Sequence, residues 1–234
     1  MTRGETLHEM EGTGDDIGSG GPTCEHVNCA VIVAHPDDET LWAGGTLLMQ
    51  PDSCWTVVTL TRKSDPDRAP KFHKALECYR AVGIMGDLDD GPEQKPLRTV
   101  EVEDTIMALL PSQRYDLILT HALWGEYTRH RRHEEVARAV VALRESGHLP
   151  TGEIWMFAYQ DSGGKHLPRP VADSDVHIRL PEEVWEHKYH IITNIYGFRP
   201  DSFEAQTTPK EEAFWVLGKE KADMNRAPYQ QYVK

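Results

Sequence analysis

Ala30-Val-Ile-Val-Ala34-His35-Pro36-Asp37-Asp38-Glu39-Thr-Leu-Trp-Ala-Gly44-Gly45-Thr-Leu-Leu48 is an apolar run that stops at a dense polar cluster and restarts with helical spacing. It reads as strand, loop and helix. Residues 30–34 are rich in β-branched side chains and apolar throughout, as a parallel strand buried on both faces requires. Pro36 has no backbone N–H to continue a central ladder and biases His35 toward an extended backbone, so the imidazole projects from the strand's carboxyl end. Open α/β sheets bind ligands at that end. His35, Asp37 and Asp38 therefore crowd one imidazole and two carboxylates together, and adjacent carboxylates repel unless a positive charge sits beside them. A divalent metal accounts for the whole set. The plainer reading, an Asp capping the next helix, accounts for one carboxylate and leaves the His unexplained.

Outward from this stretch the same alternation repeats. Residues 39–49 form the first helix, whose Gly44-Gly45 pair costs helix stability and so points to close packing. Residues 54–61 read as a second strand, 61–70 as a polar loop on the catalytic edge, and 71–82 as an amphipathic helix with Phe72, Ala75, Leu76 and Tyr79 on one face. A short strand at 83–88, a turn at 89–92 and a helix at 97–110 follow. Residues 114–121 make another convincing strand that again ends in a His, the polar stretch from Trp124 leads into a helix reaching 146, and 153–160 is a fifth strand. This order predicts an α/β fold with a doubly wound, mostly parallel sheet flanked by helices, its polar clusters on one rim. Beyond 161 the pattern weakens to a strand at 175–180, a helix at 181–195 and a last strand at 213–217. We expect a single domain over 23–220 with a less regular C-terminal portion, a flexible tail at 1–22 that is poor in apolar residues, and a second tail at 221–234.

Composition narrows the function classes. The 234 residues suit one domain with a sizeable core. Against 25 basic residues stand 38 acidic ones, a net charge of −13, which argues against nucleic acid or an anionic membrane surface as partner. No stretch is apolar enough to span a membrane, the N-terminus is unlike a signal peptide, and Cys24, Cys29, Cys54 and Cys78 form no CxxC pair, so a reducing, cytoplasmic setting is expected. Cys54 and Cys78 read as small buried residues. Cys24 and Cys29, with His26 between them, match no common zinc knuckle.

His130 and His133 sit three apart at the start of a helix and share a face, able to approach the cluster from the first strand. Two His and one Asp around a divalent ion leave open positions, the arrangement of a catalytic zinc. His35-Pro36-Asp37-Asp38-Glu39 with Gly45, then Gly125-Glu126-Tyr127 and His130-x-x-His133, closely resemble the motifs of the LmbE-like, or PIG-L-type, zinc-dependent de-N-acetylases. The resemblance implies a Rossmann-like sheet, Zn²⁺ or another divalent ion at one per chain, ligands His35, Asp38 and His133, a general base in Asp37, and an electrostatic stabiliser or acid in His130. It also implies removal of an N-acetyl group from an amino sugar or glycoconjugate, and self-association by family analogy. Asp37, too close in sequence to Asp38 for both to ligate comfortably, is left to take a proton from the attacking water.

The chain departs from that pattern. Arg131-Arg132 stand where the family has Pro-Asp, Thr128-Arg129 where it has a single Gly, and the family's Arg-x-x-Glu and C-terminal His-x-Ser-Gln are absent, Tyr189-His190-Ile-Ile-Thr-Asn standing near the latter. Arg132 is expected to depress the His130 pKa unless a nearby Glu compensates. Arg68, Asp90, Trp124 and Tyr127 are candidate substrate contacts on the same rim, since sugar sites pair aromatic faces with groups that bind hydroxyls. Two alternatives stay open: an amidase acting on a thiol or antibiotic conjugate with the same metal centre, and a non-catalytic metal- or nucleotide-binding domain. The second is disfavoured because the first strand–helix loop has no GxGxxG and carries carboxylates that repel phosphate.

Overall fold

The computed structural model describes residues 27–218. Both expected tails, Cys24 and His26 lie outside them. Strand β1 (Asn28–Val33) is followed by α1 (Asp38–Met49), β2 (Cys54–Thr59), α2 (Arg68–Tyr79), β3 (Val82–Met85), α3 (Thr99–Leu109), β4 (Tyr115–Thr120), α4 (Arg131–Glu145) and β5 (Thr151–Phe157). A short hairpin pairs β6 (Tyr159–Gln160) with β7 (Arg169–Pro170), and β8 (Val176–Arg179), α5 (Glu182–His190), a π-helical turn (Ile191–Ile195), α6 (Phe203–Thr207) and β9 (Glu211–Val216) complete the chain. The main sheet has seven strands in the order β3-β2-β1-β4-β5-β9-β8. Its first five strands are parallel, while β9 runs antiparallel to β5 and to β8. This is the doubly wound, mostly parallel architecture that the alternation of elements predicts.

β1 is central and buried on both faces, which is why its sequence is uniformly apolar. Ala30, Ile32 and Ala34 pack toward a core closed by Val102 and Ile106 of α3 and Val136, Ala139 and Val140 of α4. Cys29, Val31 and Val33 face the opposite core, closed by Leu41 and Leu47 of α1, Phe72 and Leu76 of α2, and Ile191 and Ile192. The order of strands reverses direction between β1 and β4, so their carboxyl ends open the crevice where such sheets bind ligands.

Several boundaries differ from the sequence reading for identifiable reasons. α2 begins at Arg68, ahead of Pro70: the Asp65 carboxylate accepts the N–H of Asp67 and Arg68 at 2.9 Å, and a proline in a first helical turn forfeits no intrahelical bond. It stops at Arg80 in the left-handed conformation, leaving Val82 to start β3. Cys54, half-buried at the start of β2, is disulfide-bonded, unlike the free thiols Cys29 and Cys78, which corrects its reading as a plain buried residue.

The glycine pair of α1 packs as its cost implied. A Cβ on Gly45 would lie 2.3 Å from Leu180 Cδ2 and 3.0 Å from Glu212 Oε1. Glu212 of β9 reaches into the middle of α1, accepting the N–H of Gly45 and Thr46 at 2.7 Å each and the Thr46 hydroxyl at 2.6 Å. Its fourth donor is Lys188 Nζ of α5 at 2.6 Å, and both side chains of this ion pair are fully buried. The less regular C-terminal part thereby grips the helix whose first turn carries Asp38.

Candidate active site

The loop after β1 places His35, Asp37 and Asp38 at the sheet's carboxyl edge, and the N-terminus of α4 brings His130 and His133 to meet them. His35 Nδ1 lies 3.1 Å from Asp38 Oδ2 and 3.1 Å from His133 Nε2, and His133 Nε2 lies 3.4 Å from Asp38 Oδ2. These three atoms form a nearly equilateral triangle. Ligands about 2.0–2.2 Å from a tetrahedral zinc are spaced about 3.3–3.6 Å apart, so the triangle fits the edges of such a polyhedron with little movement. His130 joins His35 and His133 in a second set of donor atoms within 4.8 Å of one another.

The tautomers agree with that fit. Glu126 accepts His133 Nδ1–H at 2.5 Å, His121 Nδ1–H at 2.8 Å and the Ala122 N–H at 3.0 Å. Burial opposes its charge, yet the two imidazoles hold its pKa down to about 2, so it is an acceptor only. His133 is left with its Nε2 lone pair turned to the triangle, while the Nε2 lone pair of His121 is taken by the Ala34 N–H at 2.9 Å. His121 lies 3.5 Å from Asp38 Oδ2 and forms an alternative donor set with Asp38 and His133, but it has no lone pair to spare for an ion. On the other side Asp90 Oδ1 receives His35 Nε2 at 3.2 Å, which frees His35 Nδ1. Ligating histidines are typically oriented in this way by carboxylates.

Without an ion the cluster binds protons tightly. Burial disfavours charge on His133 and His35, but Asp38 with Glu126, and Asp38 with Asp90, outweigh it and raise their pKa values to about 10 and about 9. Asp38 is correspondingly held well below the usual carboxylate range, its own burial overcome by His133 and His121.

Asp37 sits beside this triangle at φ 110°, a left-handed conformation rarely adopted by Asp. Its N–H is tied to Glu39 Oε2 at 3.0 Å, and Glu39 in turn accepts the hydroxyls of Thr40 and Tyr196 at 2.6 Å each. Burial and the Asp38 charge push the Asp37 pKa well above its ordinary value, against the pull of Arg68, whose Nη1 lies 3.1 Å from Asp37 Oδ2.

His130 departs from the expectation of a protonated imidazole. Burial, then His133 and His35, lower its pKa to about 4, its ring stacks on His133 at 3.9 Å, and its buried Nδ1 has no hydrogen-bond partner among the described residues. The charge of Arg132 is met by a nearby acid, Glu135, the exception that the expectation allowed. The guanidinium is buried and donates to the carbonyls of Asp89 and Lys95 and to Glu135.

A cleft of about 930 Å³ opens over the cluster, and its lining includes Leu41, Trp42, Tyr127 and Phe203 as well as Arg62, Arg68, Asp90 and Arg131. Tyr127 stands 5.8 Å from Trp42 and 5.4 Å from Phe203, ring to ring, and Arg68 stacks over Phe198 at 4.7 Å. Asp90 is committed to His35, Gln94 and Arg62. Trp124 is not at the cleft: it is buried in the core beneath, its indole N–H donated to the Glu126 carbonyl at 3.1 Å, which corrects its reading as a substrate contact. Glu126 enters the sequence reading only as part of the Gly125-Glu126-Tyr127 motif, and its place between His121 and His133 emerges from the fold. Gly125 has φ 81°, and a Cβ there would meet the Thr128 carbonyl oxygen at 2.5 Å.

Residues 30–144 match the family model described as GlcNAc-PI de-N-acetylase, PIG-L. The uncharacterized protein L374 of Acanthamoeba polyphaga mimivirus is 23% identical over 124 residues, 46% of this chain and 54% of that relative, so the chain spans about half the length of the curated relative it matches. Among solved structures, the fold is shared with N,N'-diacetylchitobiose deacetylase from Pyrococcus horikoshii (TM-score 0.60, 14% identity, 84% of this chain and 85% of that one). It is also shared with a triple mutant of Orf2, a deacetylase of the teicoplanin biosynthetic pathway (TM-score 0.59, 15% identity, 82% and 98%). A third neighbour is GalB, the 4-carboxy-2-hydroxymuconate hydratase from Pseudomonas putida KT2440 (TM-score 0.54, 13% identity, 82% and 96%), so this fold alone does not decide a reaction. The stretch similar to the PIG-L model runs from β1 nearly to the end of α4, so His35, Asp37, Asp38, His130 and His133 all lie within it.

Proposed function

We propose that the protein is a metal-dependent N-deacetylase that hydrolyses the N-acyl group of an amino sugar or glycoconjugate. The observation that carries this reading is the triangle of His35 Nδ1, Asp38 Oδ2 and His133 Nε2 with a second carboxylate, Asp37, beside it. His35, Asp38 and His133 would hold the ion. When bound, it would polarise the amide carbonyl and acidify water at neutral pH.

The chain's own groups supply the rest. Asp37, its proton affinity raised by burial and by Asp38, takes the proton of the attacking water and passes it to the departing nitrogen. Arg68 keeps that carboxylate aimed and partly offsets its raised pKa. His130 serves as a neutral hydrogen-bond donor toward the oxygen where negative charge grows, rather than as a cation. Of the cleft's apolar lining, Tyr127 and the exposed Phe203 offer surface on which a sugar ring or acyl group can stack.

The relatives support the reaction class and leave the metal and the amine to experiment. Teicoplanin deacetylase Orf2 is known in a zinc-inhibited form, so the ion is best varied in the assay. The test is release of free amine from a panel of N-acetyl amino sugars, chitobiose included, N-acyl thiol conjugates and acylated glycopeptides, with enzyme loaded with Zn²⁺, Co²⁺ or Mn²⁺. Turnover of the amino sugars supports the proposal. Turnover confined to the other classes would replace its substrate, and no amide cleavage with any loaded ion would refute it.

A further inference from the structure

The segment from Gly86 to Arg98 has no regular secondary structure, yet it is fastened at many points. Arg132, its side chain 1% exposed, donates Nε to the Asp89 carbonyl at 2.6 Å and Nη2 to the Lys95 carbonyl at 2.8 Å. Arg131 donates to the Gln94 carbonyl, and Glu135, itself an acceptor from Arg132, takes the Leu97 N–H at 3.1 Å. A buried guanidinium is costly unless its donors are satisfied, and here they are spent on loop carbonyls. Between the two Arg132 anchors lies Asp90, its side chain 6% exposed.

Asp90 is surrounded by donors. Oδ2 accepts Arg62 Nε at 2.9 Å and Nη2 at 2.6 Å, while Oδ1 accepts Gln94 Nε2 at 2.7 Å and His35 Nε2 at 3.2 Å. An ionised carboxylate so placed can only accept, so His35 must carry its proton on Nε2 and offer Nδ1 to the triangle. Arg132 immediately precedes His133 in α4. One residue therefore ties the loop that orients one proposed ligand to the helix that carries the other.

We propose that Asp90 and Arg132 are positioning residues of the metal site: Arg132, standing where the family has an acid, holds the 89–95 loop so that Asp90 fixes the tautomer and tilt of His35. The inference rests on the proposed metal-binding role of His35, Asp38 and His133. Asp90 is then a support for the ligand rather than a contact for substrate, and its removal loosens the ion before it affects sugar binding.

The experiment is zinc affinity of the full-length protein, read by competition with a chromophoric chelator, for wild type, Asp90→Ala, Asp90→Asn, Arg132→Met and Asp90→Ala/Arg132→Met. Loss of an outer carboxylate typically weakens metal binding about 10–100-fold, and that loss is expected for Asp90→Ala, with Asp90→Asn between it and wild type. Arg132→Met should weaken zinc in the same direction, and the double variant should be no worse than Asp90→Ala, because Arg132 acts through Asp90. Lys95→Ala, a loop residue whose exposed side chain pairs only with Glu93 among the described residues, should bind zinc as wild type does. If Arg132→Met does not fold, Arg132→Lys takes its place in the cycle. Wild-type affinity in Asp90→Ala, or additive losses in the double variant, would overturn this inference alone. A wild type that takes up no zinc would instead overturn the metal site itself.

Discussion

The buried pair of Lys188 and Glu212 predicts an asymmetry that can be worked from its hydrogen bonds. Glu212 has four donors: the N–H groups of Gly45 and Thr46, the Thr46 hydroxyl and Lys188 Nζ. Lys188 has one described acceptor, Glu212 Oε1, and is fully buried. Lys188→Met leaves an anion still bound by three donors, and its cost should be about 1–3 kcal/mol, the range for one lost partner of a buried group. Glu212→Ala strands a buried ammonium and frees three donors of α1 as well, which places it at about 3–5 kcal/mol. Urea unfolding at pH 7, compared at equal m-values, measures both.

The pH dependence separates this account from a simple cavity. Burial lowers the Lys188 pKa and Glu212 opposes that fall, so removing Glu212 lowers it further. The unfolded chain then binds more protons than the folded one at every pH between the depressed folded pKa and the unfolded value of about 10.4. Stability of Glu212→Ala must rise with pH across that window, and more steeply than that of wild type. A Lys188→Met more damaging than Glu212→Ala, or an unchanged pH slope in Glu212→Ala, would refute the reasoning.

Other expectations are briefer. Asp37→Asn should keep the metal and lose about 10²–10⁴-fold in kcat, read by amine release, because the acceptor of the water's proton is gone. Gly45→Ala should cost about 1–3 kcal/mol in the same urea assay despite alanine's better helix propensity, since its Cβ would meet Leu180 at 2.3 Å. Metal uptake should release protons and tighten as pH rises, because His35 and His133 hold protons in the ion-free protein to about pH 9 and about pH 10; calorimetry in buffers of different ionisation enthalpy counts them. Arg132→Asp should destabilise the fold instead of tuning His130, since it sets a buried acid against Asp89 and Glu135; a folded variant with wild-type melting temperature would contradict the clamp.

Much of this was legible in the chain because the determinants are local. The run from Ala30 to Leu48 announces a strand buried on both faces, a polar turn and a tightly packed helix, and those are β1, the His35–Asp38 loop and α1 with Gly45 against Leu180. The pairing of His35 with His133 followed from two strands ending at one rim. What sequence could not show are contacts whose partners lie far apart. Glu126 binding His121 and His133 depends on a left-handed turn, Arg132 reads as a charge near His130 until its side chain is traced to the carbonyls of 89 and 95, and Trp124 is polar enough to suggest a rim yet lies in the core. The C-terminal strands were recognisable as strands, but their antiparallel placement at the sheet edge, and the reach of Glu212 into α1, belong to tertiary packing.

The most direct test of the proposed metal centre is the metal content of purified protein after exchange with Zn²⁺ and removal of excess, measured by mass spectrometry of the elements. Wild type and Asp37→Asn should each carry about one ion per chain, as a site of three protein ligands with an open position implies, and the His35→Ala/Asp38→Ala/His133→Ala variant should carry none. Equal metal in the triple variant and wild type, or loss of metal in Asp37→Asn with retention in His133→Ala, would contradict the assignment of these residues.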